Sequence, residues 1–202
     1  MPKTNLKKIS KEDIASFPLN KYNGIIELIT NKKDAERAIE EIKKCKIIGM
    51  DTEARPAFRR GVSYPVSLLQ MATDRKVYLF RLLKTGILPG ILEILEDENL
   101  VKIGIAPGDD MKDLAKSRQF YPKNIVDLNK FAEQNGFESI GAKKLSAMVL
   151  GIRISKAQQV SNWEAIKLSE AQINYAATDA WICREIYLRL AKDENELHIV
   201  YR

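Results

Sequence analysis

Short apolar runs separated by polar, turn-forming residues recur along the chain, and longer amphipathic stretches lie between them. Ile25 to Ile29 predicts a short edge strand. Thr30 or Asn31 is placed to cap a helix over about 33–44, whose Ala35, Ala38, Ile39 and Ile42 form one apolar stripe. Ile47-Ile48-Gly49-Met50 then reads as a buried strand, too short for a helix. Val66 to Ala72 and Lys76 to Phe80 predict two strands joined by the polar turn Thr73-Asp74-Arg75, a hairpin. A helical segment over about 90–95 precedes a second buried strand, Leu100 to Ile105, and Met111 to Arg118 reads as a helix. Ile125 to Leu128 is a short strand or turn entering a helix that ends near Gly136, and Ala142 to Leu150 is a helix stopped by Gly151. Residues 155–167 show no period and read as a loop. Ser169 with Gln172 is a capping box that opens the longest helix, about 170–192. Strands with intervening helices predict an α/β fold, and the hairpin makes its sheet mixed.

Composition narrows the setting. At 202 residues the chain suits one domain, and 45% hydrophobic with 30% charged residues describes an ordinary globular protein. Residues 1–24 are polar and Lys-rich, with Pro2 and Pro18 interrupting helix formation, and are expected to form a basic lead-in arm to a domain over 25–202. No apolar run approaches the ~20 residues that span a bilayer, so no membrane partner is expected. The N-terminus lacks the apolar stretch of a signal peptide, and Cys45 and Cys183 have no metal-type spacing. Together these predict a reducing, cytoplasmic setting. A net charge of +6 and a pI near 9.2 suit a polyanionic partner without requiring one.

The candidate chemistry begins where the Ile47 strand runs into Asp51-Thr52-Glu53. In an extended strand Asp51 and Glu53 point the same way, so two like charges share one face at the end of a buried element. Divalent cations would offset both the repulsion and the lost solvation; a strand ending in a polar loop accounts for the same residues. Tyr175 and Asp179 lie four apart on the last helix and stack on one face, with Ile182 and Ile186 continuing a core stripe. A carboxylate at that border needs a partner, which a salt bridge also supplies. Asp110, at a helix start beyond the second buried strand, fits an N-cap or a ligand, and neighbouring Asp109 fits the same spacing. Converging carboxylates are hard oxygen ligands suited to Mg²⁺ or Mn²⁺ and to two-metal phosphoryl transfer. After Glu53 the loop Ala54 to Gly61 holds Arg55, Arg59, Arg60 and Phe58, which suits a phosphate backbone and a stacked base or simply a solvated loop. Asp127 fits packing or capping better than metal, and Gln70, inside an apolar strand, is either a satisfied buried amide or a substrate contact.

These pieces in this order resemble a known family. D-T-E after an apolar strand, an aspartate closing Ile103-Gly104-Ile105-x-x-x-Asp109-Asp110, and Tyr175-Ala176-Ala177-Thr178-Asp179 look like the DEDD superfamily of 3′–5′ exonucleases. The Y-x-x-x-D spacing is similar to its tyrosine subclass, which includes ribonuclease D and the Werner-type exonuclease domain. Val66 to Ala72, Lys156 to Trp163 and Leu168 to Ala180 resemble further segments of that family, and the likeness extends over about Ile47 to Ala191. The histidine subclass carries a histidine five residues before the last aspartate; here that residue is Asn174, and the single histidine is His198.

The resemblance implies a ribonuclease-H-like mixed sheet flanked by helices. It implies that Asp51, Glu53, Asp110 and Asp179 bind two divalent ions, with Asp110 rather than Asp109 selected because it lies six beyond Gly104. Tyr175 would hold or orient the attacking water, since a phenol near pKa ~10 is a poor free base. The partner implied is the 3′ end of single-stranded DNA or RNA, with Arg55, Arg59, Arg60, Lys156 and Trp163 as candidate contacts; for Trp163 a place in the core fits better. Two other readings compete: a catalytically silent exonuclease-like module that binds nucleic acid or a protein, and a metal phosphatase acting on small phosphate esters.

Overall fold

A computed structural model describes residues 7–59 and 61–193. Its centre is a six-stranded sheet in the order β1-β4-β3-β2-β5-β6. The strands are β1 (Ile25–Ile29), β2 (Ile47–Ala54), β3 (Val66–Ala72), β4 (Lys76–Arg81), β5 (Val101–Gly104) and β6 (Ile125–Asp127). β2–β3 and β3–β4 pair antiparallel, while β1–β4, β2–β5 and β5–β6 pair parallel, so the sheet is mixed as the hairpin predicted. β1 is an edge strand, as its short pattern suggested. Its Glu27 pairs with Lys76 of β4 at 3.2 Å and with Arg37. β6, three residues long, forms the other edge.

Helices cover both faces. One layer is built from α2 (Lys32–Ile42), α4 (Pro89–Glu96) and α5 (Gly108–Ser117). Its apolar stripes close over Ile48 and Met50 of β2 and Leu69 and Met71 of β3. Asn31 caps α2 by accepting from the Asp34 backbone N–H at 3.0 Å. The opposite layer is built mainly from α8 (Glu170–Asp193), helped by α6 (Leu128–Gln134) and α7 (Ala142–Leu145). The capping box holds in both directions: Ser169 Oγ accepts from Gln172 N at 3.2 Å, and Gln172 Oε1 accepts from Ser169 N at 3.0 Å. Among the described residues no helix is long and apolar enough to cross a membrane.

Three elements depart from the expectation. Within the lead-in, α1 (Lys11–Ser16) forms on a capping box between Ser10 and Asp13. Its Ile14, together with Ile9, is buried in the α8-side cluster, so this part of the arm is packed. A short α3 (Leu82–Thr85) follows β4 directly. Past α7 the chain continues as a π-helical turn over Ser146–Leu150 instead of an α-helix, and stops where Gly151 turns left-handed at φ 68°.

What positions the site is the contact between β2 and α8. Even-numbered residues of β2 face α2 and α4, so the odd-numbered ones face α8. A Cβ on Gly49 would sit 2.0 Å from the Ala180 carbonyl oxygen and 2.9 Å from the Arg184 amide nitrogen. The glycine lets the α8 backbone rest directly on the strand. Residue 51, two further along the same face, therefore meets the α8 turn that carries residue 179.

Candidate active site

Asp51, Glu53 and Asp179 each place a carboxylate oxygen within 4.8 Å of the others. Asp51 and Glu53 are half-buried at the end of β2, and Asp179 is buried on α8. Ligand oxygens at such separations can be spanned by an ion at metal–oxygen distances of about 2.0–2.6 Å. Asp179 Oδ1 is buried with no hydrogen-bond partner among the described residues. A buried carboxylate oxygen without a donor is costly unless a cation completes it. The donor set and this orphaned oxygen fit Mg²⁺ or Mn²⁺.

The charges confirm the crowding. Burial, then repulsion from Asp179 and Asp110, holds the Asp51 carboxyl well above the usual carboxylate range. Burial, then the charges of Asp51 and Asp179, pushes Glu53 up to about 9. Burial also raises Asp179. Against these effects the Lys156 ammonium pulls all three back down. Its Nζ donates to Asp179 Oδ2 at 2.7 Å and lies 3.4 Å from the Tyr175 hydroxyl oxygen. Tyr175 is itself buried, and burial followed by the Asp179 and Glu53 charges raises its phenol. A phenol raised in this way keeps its proton at neutral pH.

Asp110 stands beside this trio rather than within it. It lies in the first turn of α5 and accepts a hydrogen bond from the Thr52 hydroxyl. Thr52 points to the opposite face of β2 from its two acidic neighbours. Burial raises Asp110 to about 6, against the lowering pull of Thr52. Of the two adjacent aspartates, this contact turns Asp110 toward β2. Asp109 faces outward, its side chain 89% exposed and paired with Lys112 at 2.8 Å.

Other candidates divide. Asp127 caps α6, accepting from Asn129 N at 3.0 Å and from Ala106 N at 3.2 Å. Trp163 is fully buried and packs on Tyr175 with ring centroids 5.9 Å apart. A buried indole has no free face for a base, so its assignment as a contact is corrected to a core role. Arg55, on the exposed loop after β2, lies over the Tyr64 ring and pairs with Glu164 at 3.3 Å. With Arg59, Phe58, Val62, Val160 and Asn162 it borders a cavity of about 470 Å³. Phe58 is 85% exposed there. Arg60 lies outside the described residues. Gln70, register partner of Asp51 on β3, is buried with both amide atoms unpartnered among the described residues.

Two contributors escaped the reading of the sequence. Gly49 carried a signal, since a glycine inside an apolar strand marks close backbone approach. Thr52 carried none, because its role depends on where α5 begins. A cavity of about 230 Å³ over the carboxylates is lined also by Gln159 and Cys183. The Cys183 thiol is pushed up by burial and then by the nearby Asp51 charge, so it is a packed neutral wall.

Comparison with known proteins agrees with this geometry. A family model described as "3'-5' exonuclease" matches residues 26–194. The chain is 33% identical over 187 residues to the Drosophila melanogaster exonuclease 3′-5′ domain-containing protein 2, covering 88% of this chain and 32% of that protein. It is 32% identical over 174 residues to ribonuclease D of Gluconacetobacter diazotrophicus, covering 84% and 43%. In fold it is similar to the Aedes aegypti Nibbler EXO domain, with a TM-score of 0.78 at 23% identity, covering 89% of this chain and 94% of that one. The chain thus spans less than half the length of these two curated relatives.

Proposed function

This chain belongs to the 3′–5′ exonuclease family, with a ribonuclease-H-like fold, and from that premise we propose that it hydrolyses phosphodiester bonds from the 3′ end of single-stranded DNA or RNA. The observation that carries the proposal is the convergence of Asp51, Glu53 and Asp179 on one point, with Asp179 Oδ1 unpartnered. In this reading those three carboxylates, with Asp110 alongside, hold two divalent ions, Mg²⁺ or Mn²⁺. Such ions supply a more acidic water and charge neutralisation at the leaving oxygen.

The chain's own residues then divide the remaining work. The mutual repulsion of the carboxylates is the electrostatic field that draws cations in. Tyr175, held neutral by its buried setting, offers a hydroxyl that orients a water without removing its proton. Among the candidate contacts, Arg55 and Arg59 lie on the exposed loop leaving β2, placed to meet phosphates of the incoming strand. Exposed Phe58 beside them offers a ring face for stacking. The relative named ribonuclease D supports RNA as one substrate class to test first.

The experiment is shortening of a 5′-labelled oligonucleotide with Mg²⁺ or Mn²⁺, on matched single- and double-stranded DNA and RNA, against Asp51→Ala. Stepwise loss from the 3′ end that vanishes in Asp51→Ala and with chelator supports the reading. Binding without metal-dependent cleavage moves the chain to the silent-module reading. Turnover of free phosphate esters without dependence on chain length moves it to the phosphatase reading.

A further inference from the structure

Lys156 stands where a cation belongs. Its Nζ is 2.7 Å from Asp179 Oδ2, its side chain is 20% exposed, and that of Asp179 is 4% exposed. The ammonium also lies 5.1 Å from the centroid of the Tyr175 ring. The segment that brings it there is pinned at both ends by buried side chains, Ile154 and Trp163. Between those anchors the backbone is neither helix nor strand, and Ser155, Ala157, Gln159 and Val160 are exposed. The position is thus set by the chain, while a flexible four-carbon stem leaves the ammonium free to move.

Asp179 Oδ1 stands open to one divalent ion, but completing the two-ion site requires Oδ2 as well, where the ammonium at 2.7 Å and an incoming ion exclude one another by contact and by like charge. We propose that Lys156 is the site's displaceable internal counter-cation: it satisfies Asp179 Oδ2 among the crowded carboxylates, and divalent ions enter by exchanging with its ammonium. This rests on the metal-dependent reading above and adds to it a residue that opposes metal binding. Two consequences separate it from a simple phosphate contact. The lysine tunes how much divalent ion the site needs, and its ammonium is released toward the cavity only once the carboxylates are otherwise neutralised. The displaced ammonium is then available to an incoming phosphate at the step when one is needed.

The test compares Lys156→Met, which keeps most of the stem and removes the charge, with Lys156→Arg, which keeps the charge. Mn²⁺ affinity is measured by calorimetric titration at one pH without nucleic acid, and thermal midpoints are measured in chelator and in Mn²⁺. Removing a competitor on one shared ligand is expected to tighten Mn²⁺ binding in Lys156→Met on the order of tenfold. The same variant loses roughly 2–4 °C or more in chelator and recovers in Mn²⁺, while Lys156→Arg stays near wild type. Equal or weaker Mn²⁺ binding by Lys156→Met overturns the proposal and leaves the metal reading intact. Absence of Mn²⁺ binding in wild type and both variants removes the metal reading itself, and this proposal with it. If Lys156→Met does not fold in chelator, Lys156→Gln carries the same comparison with a neutral polar stem, and the same outcomes decide.

Discussion

Replacing Gly49 with alanine tests whether the seat of α8 on β2 sets the geometry of the carboxylates. The added Cβ would lie 2.0 Å from the Ala180 oxygen and 2.9 Å from the Arg184 nitrogen, both backbone atoms that no rotamer change can move aside. Ordinary carbon contacts begin near 3.5 Å, so the helix must withdraw by roughly 1.5 Å. Overpacking of this kind costs about 1–3 kcal/mol, offset in part by the roughly 0.5–1 kcal/mol that alanine gains over glycine in a strand. The larger effect falls on the site, because Asp179 precedes the displaced Ala180. A misplacement of about 1 Å in a reacting constellation can cost on the order of 10²-fold in rate. Gly49→Ala should therefore remain folded at low temperature, unfold at lower urea, and lose Mn²⁺ affinity and hydrolysis far beyond its unfolded fraction. Urea titration and metal titration on the same preparation separate the two losses. Wild-type metal affinity in a folded Gly49→Ala protein would refute the idea that this backbone contact places Asp179.

Three further predictions concern other parts of the molecule. Asp110→Ala should cost on the order of 10–100-fold in metal affinity or activity, whereas exposed Asp109→Ala should leave activity unchanged and stability within about 0.5 kcal/mol; equal losses in both would mean the Thr52 contact is not selecting the residue. In chelator, stability should fall as pH rises from about 4.5 toward 9, because the folded protein holds the Glu53 proton up to about 9 against an ordinary 4.5. That contribution is complete below the lower value and lost through the upper one, so Glu53→Gln should flatten the profile of unfolding free energy over this window. A profile with the same slope in Glu53→Gln would show that the carboxyl is not raised. Trp163→Ala should destabilise by about 3–5 kcal/mol in urea titration, with Trp163→Phe milder, as expected for a core ring beneath Tyr175; a near-neutral Trp163→Ala with weakened oligonucleotide binding would return the indole to the surface.

Much of the fold was legible because burial and period coincide. β3 is buried throughout, and its mainly apolar run, interrupted only by Ser67 and Gln70, still read as a strand, while the capped α2 and α8 announced their own starts. The α1 helix was hidden because its stability comes from Ile9 and Ile14 reaching an apolar cluster formed by distant elements. The π-turn over Ser146–Leu150 shares the apolar content of an α-helix and differs in hydrogen-bond register, which composition does not encode. At the site, strand alternation correctly put Asp51 and Glu53 on one face, and helical spacing put Tyr175 and Asp179 on another. Their meeting depends on a glycine's missing Cβ. The Lys156–Asp179 contact was beyond reach, since it joins an aperiodic loop to a helical residue 23 positions further along the chain.

The two rims of the sheet carry a consequence for self-association. A long, bare outer strand invites another chain to extend it by main-chain pairing. Here one rim is only three residues long, and the other seats Glu27 between a lysine and an arginine. A second copy docking there would have to strip water from that ionic cluster while gaining few ladder bonds. Any pairing of copies should consequently run through helix faces or loops, leaving the strand ladder unextended and discouraging fibrous growth.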